Sequence, residues 1–203
     1  MSTKLFYLIR HAQPVYPGGK MMCLGQKNDV PLSPLGFRQA KALSRHFQNL
    51  PIEAVYTSPL LRARQTAQAV VGKAHPVHVL PDLIELDGGE WDGLTFDELH
   101  ERYPEYFGKG RQASCPPGGE TDEQGLARAY AALAHIVTHT QHSAAIVAHS
   151  GINRILLCDL LRQPMHEKKR VAQDCGCINI LEYRDGKWLV REINLKPVDM
   201  PEN

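Results

Sequence analysis

The stretch LFYLIRHA, residues 5–12, joins a run of apolar side chains to two side chains that carry chemistry. Its first five residues are all apolar, which predicts a strand that is buried on both faces. Strands of this kind occur in parallel sheets that helices cover on both sides. Arg10 and His11 come directly after the run. The stretch therefore also predicts a guanidinium and an imidazole at the end of a buried strand.

Further strands continue this pattern along the chain. Apolar runs predict three of them, at Ala54–Thr57, Val77–Leu80 and Ala144–Ala148. Near the end of the chain, two more runs flank Asp185-Gly186, a dipeptide that is typical of tight β-hairpins. The runs that form this predicted hairpin are Ile178–Tyr183 and Trp188–Ile193.

Helices are predicted between these strands from start signals. A hydroxyl residue followed by proline marks two starts, at Ser33-Pro34 and at Ser58-Pro59. Capping boxes at 95–98 and 121–124 mark two more, and the second of these helices is predicted to run to about His142. Strands that alternate with helices predict the α/β class. We expect three α/β/α layers around a mainly parallel sheet, in a single domain over residues 1–203.

The composition excludes several classes of protein. The chain has 203 residues, with 23 Lys and Arg against 22 Asp and Glu, and a formal net charge of +1. This balance argues against nucleic acid or an acidic membrane as a partner. The apolar runs are far shorter than the roughly 18 residues that suggest a membrane span. Five cysteines do not indicate a disulfide framework, and no signal-peptide pattern is visible, so we expect a cytoplasmic protein.

Basic or titratable groups follow three of the predicted strands. Arg10-His11 follows the first, Arg62 lies in the helix start after the second, and His149 follows the third. Because ligands of parallel sheets bind beyond the carboxyl ends of the strands, we expect these groups to share one edge. The first turn of a helix disfavours a cation such as Arg62 unless an anion is near. Phosphate is the anion that best suits guanidinium groups and helix N-termini.

Histidine adds a reactive group to this predicted phosphate site. A neutral imidazole is a competent nucleophile near pH 7 and can carry a covalent intermediate. His11 directly follows Arg10, so the strand would hold it in the phosphate site. A purely structural histidine at a strand end is the alternative. The convergence of several groups on one edge favours the nucleophile.

Five segments of the chain resemble the histidine phosphatase superfamily, which includes the cofactor-dependent phosphoglycerate mutases. The most characteristic is Leu8-Ile9-Arg10-His11-Ala12, and the others follow in the family's order. They are residues 58–67, 83–93, 117–121 and 147–151. The resemblance implies a phosphoglycerate mutase-like fold and an enzyme. We expect no cofactor.

The resemblance also implies roles for five residues. His11 would attack phosphorus and form a phosphohistidine. Arg10, Arg62 and His149 would hold the phosphoryl oxygens. Glu85 would protonate the leaving oxygen and then activate the water that releases phosphate.

The chain departs from the family pattern in three places. Ala12 stands where the family usually has glycine, and Gly88 replaces a common aromatic residue. Pro17 stands where many members carry an asparagine that contacts phosphate, so that contact is either lost or supplied from elsewhere. Further contacts to substrate or phosphate are expected from Gln13, Leu24 and Ser150.

The branch of the family is suggested by residues 23–33, which resemble the α-ribazole phosphatases. The chain is also shorter than a mutase, and a small cap insertion is expected around residues 86–120. Within it, residues 100–120 should decide whether water reaches the site. Their aromatic and basic side chains would either grip an organic group or pack together. These side chains are Tyr103, Tyr106, Phe107 and Arg111.

Three functions remain open at this point. The first is a metal-independent phosphatase that acts on a small phosphorylated metabolite, with α-ribazole phosphate as a candidate. The second is a phosphoglycerate mutase-type isomerase, and the third is a binding module without catalysis. Metal catalysis is not expected, because the histidines at 135, 139 and 142 should lie on a solvated helix face without a nearby glutamate. The sequence does not predict an oligomeric state.

Overall fold

A computed structural model describes residues 3–71, 76–107 and 115–201, without the side chain of Phe107. Six strands in this part of the chain form one mixed sheet in the order β3-β2-β4-β1-β5-β6. The first four strands of that order run parallel, whereas β5 and β6 pair antiparallel. The strands are β1 Lys4–Arg10, β2 Ala54–Thr57, β3 Val77–Val79, β4 Ser143–Ala148, β5 Ile178–Arg184 and β6 Lys187–Leu195.

Helices connect the strands and cover the sheet. The α-helices of the described residues are α1 Pro34–Phe47, α2 Leu61–Val71, α3 Phe96–Arg102, α4 Pro104–Phe107, α5 Asp122–His139 and α6 Ser150–Leu160. Short 3-10 turns lie at Pro17–Gly19, Pro81–Leu83, Gly89–Trp91 and Met165–Arg170. None of the helices within these described residues is long and apolar enough to cross a membrane.

Alternate residues of β1 show how the three layers form. Phe6 and Leu8 pack in a core cluster with α5 and α6, on one face of the sheet. Tyr7 and Ile9 point to the opposite face, where they pack with α1 and α2. Successive side chains of a strand alternate between faces, so an apolar run can serve both cores at once. The predicted α/β/α architecture and mainly parallel sheet are confirmed.

The capping signals define most helix starts correctly. Ser33 accepts a hydrogen bond from the Gly36 amide, and Thr95 and Thr121 both form complete capping boxes. The helix after Ser58 begins at Leu61, later than predicted, because the Ser58 hydroxyl accepts from the Leu60 amide in a bend that precedes it.

The predicted end of α5 was wrong by three residues. The helix stops at His139, and Thr140 is extended. The amides of Gln141 and His142 donate to the two carboxylate oxygens of Glu53, at 2.8 and 2.7 Å. These bonds satisfy the two amides outside the helix, which allows the chain to turn into β4.

The predicted hairpin is confirmed. Asp185 and Gly186 both have positive φ, 51° and 78°, as the tight turn between β5 and β6 requires. This hairpin places β5 beside β1, in antiparallel register with it.

A close approach between α1 and the loop after β1 supplies a test of this packing. A Cβ atom on Gly36 would lie 2.0 Å from the Gln13 carbonyl oxygen. We expect Gly36→Ala to lower the free energy of unfolding by about 1–3 kcal/mol, because either the helix or the loop must shift. Urea unfolding measures the change. Lys41→Ala, an exposed change in the same helix, should have little effect, and equal stability of the two variants would contradict the close packing.

Candidate active site

The candidate site lies where β1 and β4 end side by side. Arg10 pairs with Ala148 in the parallel register, and the His11 amide donates to the Ala148 carbonyl at 3.0 Å. The residue that directly follows each strand is a histidine, His11 after β1 and His149 after β4. The ring centroids of His11 and His149 lie 5.1 Å apart. The predicted meeting of these strand ends is present.

His11 is buried and has a defined ring orientation. Its Nδ1 lies 2.7 Å from the Ala12 carbonyl oxygen. A carbonyl oxygen can only accept, so Nδ1 carries the proton and Nε2 of the neutral ring keeps its lone pair. Burial, and then the charges of Arg62 and Arg10, lower the pKa of His11 well below its usual value. The neutral imidazole is therefore the favoured form at neutral pH.

Arg62 has no solvent-exposed surface. Its Nη atoms donate to three backbone carbonyls, those of Asn28, Leu24 and Gly25, at 3.0–3.2 Å. Its Nε is buried and has no hydrogen-bond partner among the described residues. Since an unpaired buried donor is costly, Arg62 retains the capacity to bind an anion.

Arg10 is held by the backbone of Gln173. Its Nη1 donates to the Gln173 carbonyl at 2.5 Å, while its buried Nε has no partner in the described chain. The Gln173 side chain is itself buried and bonds to the amides of Asn153 and Asn179. Asn179 in turn donates to the Leu8 carbonyl of β1. This amide network fixes the carbonyl that orients Arg10.

His149 is completely buried at the start of α6. Its Nε2 lies 2.6 Å from the Ser58 hydroxyl, and its Nδ1 has no partner within the described residues. Burial, followed by the charges of Arg62, His11 and Arg10, lowers the pKa of His149 well below its usual value. A neutral ring beside the two arginines avoids a third positive charge in the site.

Glu85 joins the site through α6. Its Oε2 accepts from the Gly151 amide, and its Oε1 accepts from the amides of Ile152 and Leu86, each at 2.9 Å. The positive end of the α6 dipole favours a carboxylate there. A Cβ atom on Gly151 would lie only 2.6 Å from Oε1, so glycine makes this approach possible. All five core residues predicted from the sequence thus lie at one edge of the sheet.

The three further residues that were predicted to contact substrate or phosphate have different surroundings in the structure. The Gln13 side-chain oxygen accepts from the Ser33 hydroxyl at 2.8 Å, and the Leu24 carbonyl accepts from Arg62. Ser150 is the half-buried first residue of α6. Substrate binding by these residues stays a prediction.

Tyr16 is a neighbour of the site that sequence reasoning missed. Burial raises the pKa of its hydroxyl, and the charges of Arg10 and Arg62 act in the opposite direction. The phenol therefore lies within electrostatic range of both guanidinium groups. It directly precedes Pro17, the residue that replaces the family asparagine.

The predicted cap is described only in part. Tyr103 and Tyr106 pack against Trp91, with ring centroids 6.1 and 5.3 Å away. Tyr103 also donates to a carboxylate oxygen of Glu90 at 2.9 Å. Packing thus engages both described tyrosines, while Arg111 and the side chain of Phe107 lie outside the described residues. The cap boundaries stay a prediction.

The helix-borne histidines lie apart from this site. His135 and His139 stack at a centroid distance of 4.2 Å on the exposed face of α5, and His142 lies beyond the end of the helix. Within the described ranges, no three His, Cys, Asp or Glu side chains come together in a group that could hold a metal ion.

The comparisons with known proteins agree with this geometry. The chain belongs to the histidine phosphatase superfamily (branch 1), whose family model matches residues 6–196. This finding confirms the resemblance seen in the sequence. It also makes the chain an enzyme of the phosphatase or mutase type.

Several relatives match most of the chain. An uncharacterized phosphatase of Bacillus subtilis, PhoE, is 27% identical over 93% of this chain and 93% of its own. The adenosylcobalamin/alpha-ribazole phosphatase of Salmonella typhimurium is 28% identical over 85% of this chain and 88% of its own. A mycobacterial glucosyl-3-phosphoglycerate phosphatase structure has a TM-score of 0.83 at 25% identity, covering 95% of this chain and 99% of that one. The names of the last two proteins point to different phosphorylated substrates.

The buried position of His11 generates a prediction about its titration. In phosphate-free buffer, NMR of the His11 ring should give a midpoint well below the ordinary histidine value of 6.5. Arg10→Gln should raise that midpoint, because one nearby positive charge is removed. Between the lowered midpoint and 6.5 the unfolded chain binds more protons, so the free energy of unfolding should fall as the pH falls through this window. A wild-type midpoint at or above 6.5 would contradict a buried imidazole that the two arginines keep neutral.

Proposed function

We propose that this protein is a metal-independent phosphomonoester hydrolase that forms a phosphohistidine on His11. The observation that carries the proposal is the orientation of His11. Its Nδ1 donates to the Ala12 carbonyl, so the lone pair of Nε2 remains for attack on phosphorus. The ring shares a buried site with Arg10, Arg62 and His149, whose unpaired nitrogens suit the oxygens of a phosphoryl group.

In the first step, Nε2 of His11 forms a bond to phosphorus as the bond from phosphorus to the ester oxygen breaks. Glu85, a carboxylate in the free site, takes up a proton before this step. The electron pair of the broken bond goes to the ester oxygen, which takes that proton from Glu85 and leaves as an alcohol. The Ala12 carbonyl stabilises the positive charge that develops on the ring. Arg10, Arg62 and His149 hold the phosphoryl oxygens during transfer.

In the second step, water attacks phosphorus and gives its proton to the Glu85 carboxylate. The bond between phosphorus and Nε2 breaks, and its electron pair returns to the ring. Inorganic phosphate leaves, and both His11 and Glu85 regain the protonation that they had when the first step began.

The substrate class that we propose is a small phosphorylated metabolite. The Salmonella relative makes α-ribazole phosphate one compound to test. The segment that resembles the α-ribazole phosphatases also has a structural role, because carbonyls at 24, 25 and 28 hold Arg62. The Asp29 carboxylate accepts from the Leu61 amide at the start of α2. That resemblance therefore supports the site more directly than it supports any one substrate.

The test is release of inorganic phosphate from an aryl phosphomonoester in the presence of EDTA. The wild-type chain should turn over, and His11→Ala should lower kcat by about three orders of magnitude or more. His142→Ala, which removes an exposed histidine outside the site, should keep the wild-type rate. A substrate panel with α-ribazole phosphate and phosphoglycerates then identifies the preferred ester.

Three outcomes would contradict the proposal. Equal activity of His11→Ala and wild type would exclude this nucleophile. Isomerisation of phosphoglycerate without release of phosphate would indicate a mutase. Binding of the phosphorylated panel without turnover or labelling of His11 would indicate a binding module.

A further inference from the structure

Arg128, on α5, contacts the backbone on which Glu85 is carried. Its Nη1 donates to the carbonyls of Asp82 and Ile84 at 2.7 and 2.8 Å. Its Nη2 lies 3.4 Å from the carbonyl oxygen of Glu85 itself. We call residues 82–87 the acid segment, because they include Glu85. Three carbonyls of this segment are therefore directed at one guanidinium.

Glu120 completes this arrangement. Its two carboxylate oxygens accept from Nε and Nη2 of Arg128 at 3.0 and 2.7 Å, in a two-pronged ion pair. The Glu120 amide donates to the Asp87 carbonyl at 3.0 Å, and the Asp87 amide donates to the Glu120 carboxylate at 3.3 Å, two residues beyond Glu85. The side chains of Arg128 and Glu120 are only 16% and 14% exposed. Burial of this kind strengthens an ion pair relative to one on the surface.

All five N–H donors of the Arg128 guanidinium are used in these contacts. A lysine could not replace it, since an ammonium has three donors around one point and cannot bridge carbonyls and a carboxylate in a plane. Glu85 is thus held at two places. Its carboxylate rests on the amides of α6, and its backbone is tied to α5.

The geometry points to Arg128 as a positioning residue for Glu85, with Glu120 as its partner. This inference rests on the proposed function, in which Glu85 protonates the leaving oxygen. Arg128 is not a catalytic residue, because its five donors are committed to the protein. Its role is to keep the acid segment at the distance from phosphorus that proton transfer requires, and small displacements of such groups are costly in rate.

A comparison of two leaving groups distinguishes a positioning role of Arg128 from a merely structural one. An alkoxide leaving group needs protonation, whereas p-nitrophenolate leaves readily without it. Arg128→Lys should lower kcat/KM for an alkyl phosphate such as glycerol 2-phosphate roughly ten- to a hundredfold. For p-nitrophenyl phosphate the loss should be less than about threefold. Arg170→Lys, the same change in an exposed ion pair, should leave both values unchanged.

A double variant tests whether Arg128 acts through Glu85. Glu85→Gln should show the same dependence on the leaving group, with a larger loss on the alkyl ester. Adding Arg128→Lys to Glu85→Gln should then cause no further loss. Glu120→Gln should change kcat/KM for the two substrates in the same direction as Arg128→Lys does. If Arg128→Lys fails to fold, Glu120→Gln replaces it in the test.

Equal loss on both substrates, or a further loss in the Glu85→Gln background, would overturn the positioning role while leaving the acid assignment intact. If Glu85→Gln itself shows no dependence on the leaving group, the acid assignment fails and the role of Arg128 fails with it. If His11→Ala is fully active, the proposed function fails as a whole. The three failures are therefore distinguishable.

Discussion

Arg62 carries a full positive charge without solvent contact, and much of the surrounding structure compensates for its burial. Carbonyls from the loop at residues 24–28 replace the water that the guanidinium would lose. The neighbouring imidazoles of His11 and His149 have lowered pKa values, which avoids further positive charge. The acidic groups Glu85, Asp29 and Asp92 act on Arg62 in the opposite sense and favour its charged form. The site therefore balances buried positive charge against nearby carbonyls and carboxylates, and a bound anion would offset the remaining positive charge.

The same balance of charges explains how a neutral imidazole can lie beside two anion-binding guanidinium groups. A protonated imidazole has no lone pair for attack, and two nearby guanidinium groups disfavour that protonated form. The charges that would attract a phosphoryl group thus also keep His11 in the neutral form that the proposed attack requires. The Ala12 carbonyl settles which nitrogen carries the proton. The proposed mechanism therefore requires no separate general base to activate His11.

The two helical layers contribute different parts of the site. Arg62 comes from α2, on the face of the sheet shared with α1. Glu85 is held by α5 and α6, on the other face. The carboxyl ends of β1 and β4 lie between them and carry the two histidines. Packing in both cores therefore sets the distance between His11, the proposed nucleophile, and Glu85, the proposed acid.

The sequence by itself determined the strands, the capped starts of the helices and the hairpin, because each leaves a local pattern of apolar residues, hydroxyls or glycine. It also placed Arg10, His11, Arg62 and His149 at strand ends, where the topology of a parallel sheet brings them together. Glu85 entered only through the family resemblance. Only the tertiary structure decided that α6 holds Glu85, that Gln173 orients Arg10 and that Arg128 ties down the acid segment. Those contacts join side chains to backbone groups tens of residues away, and such pairings have no periodicity that a sequence could display.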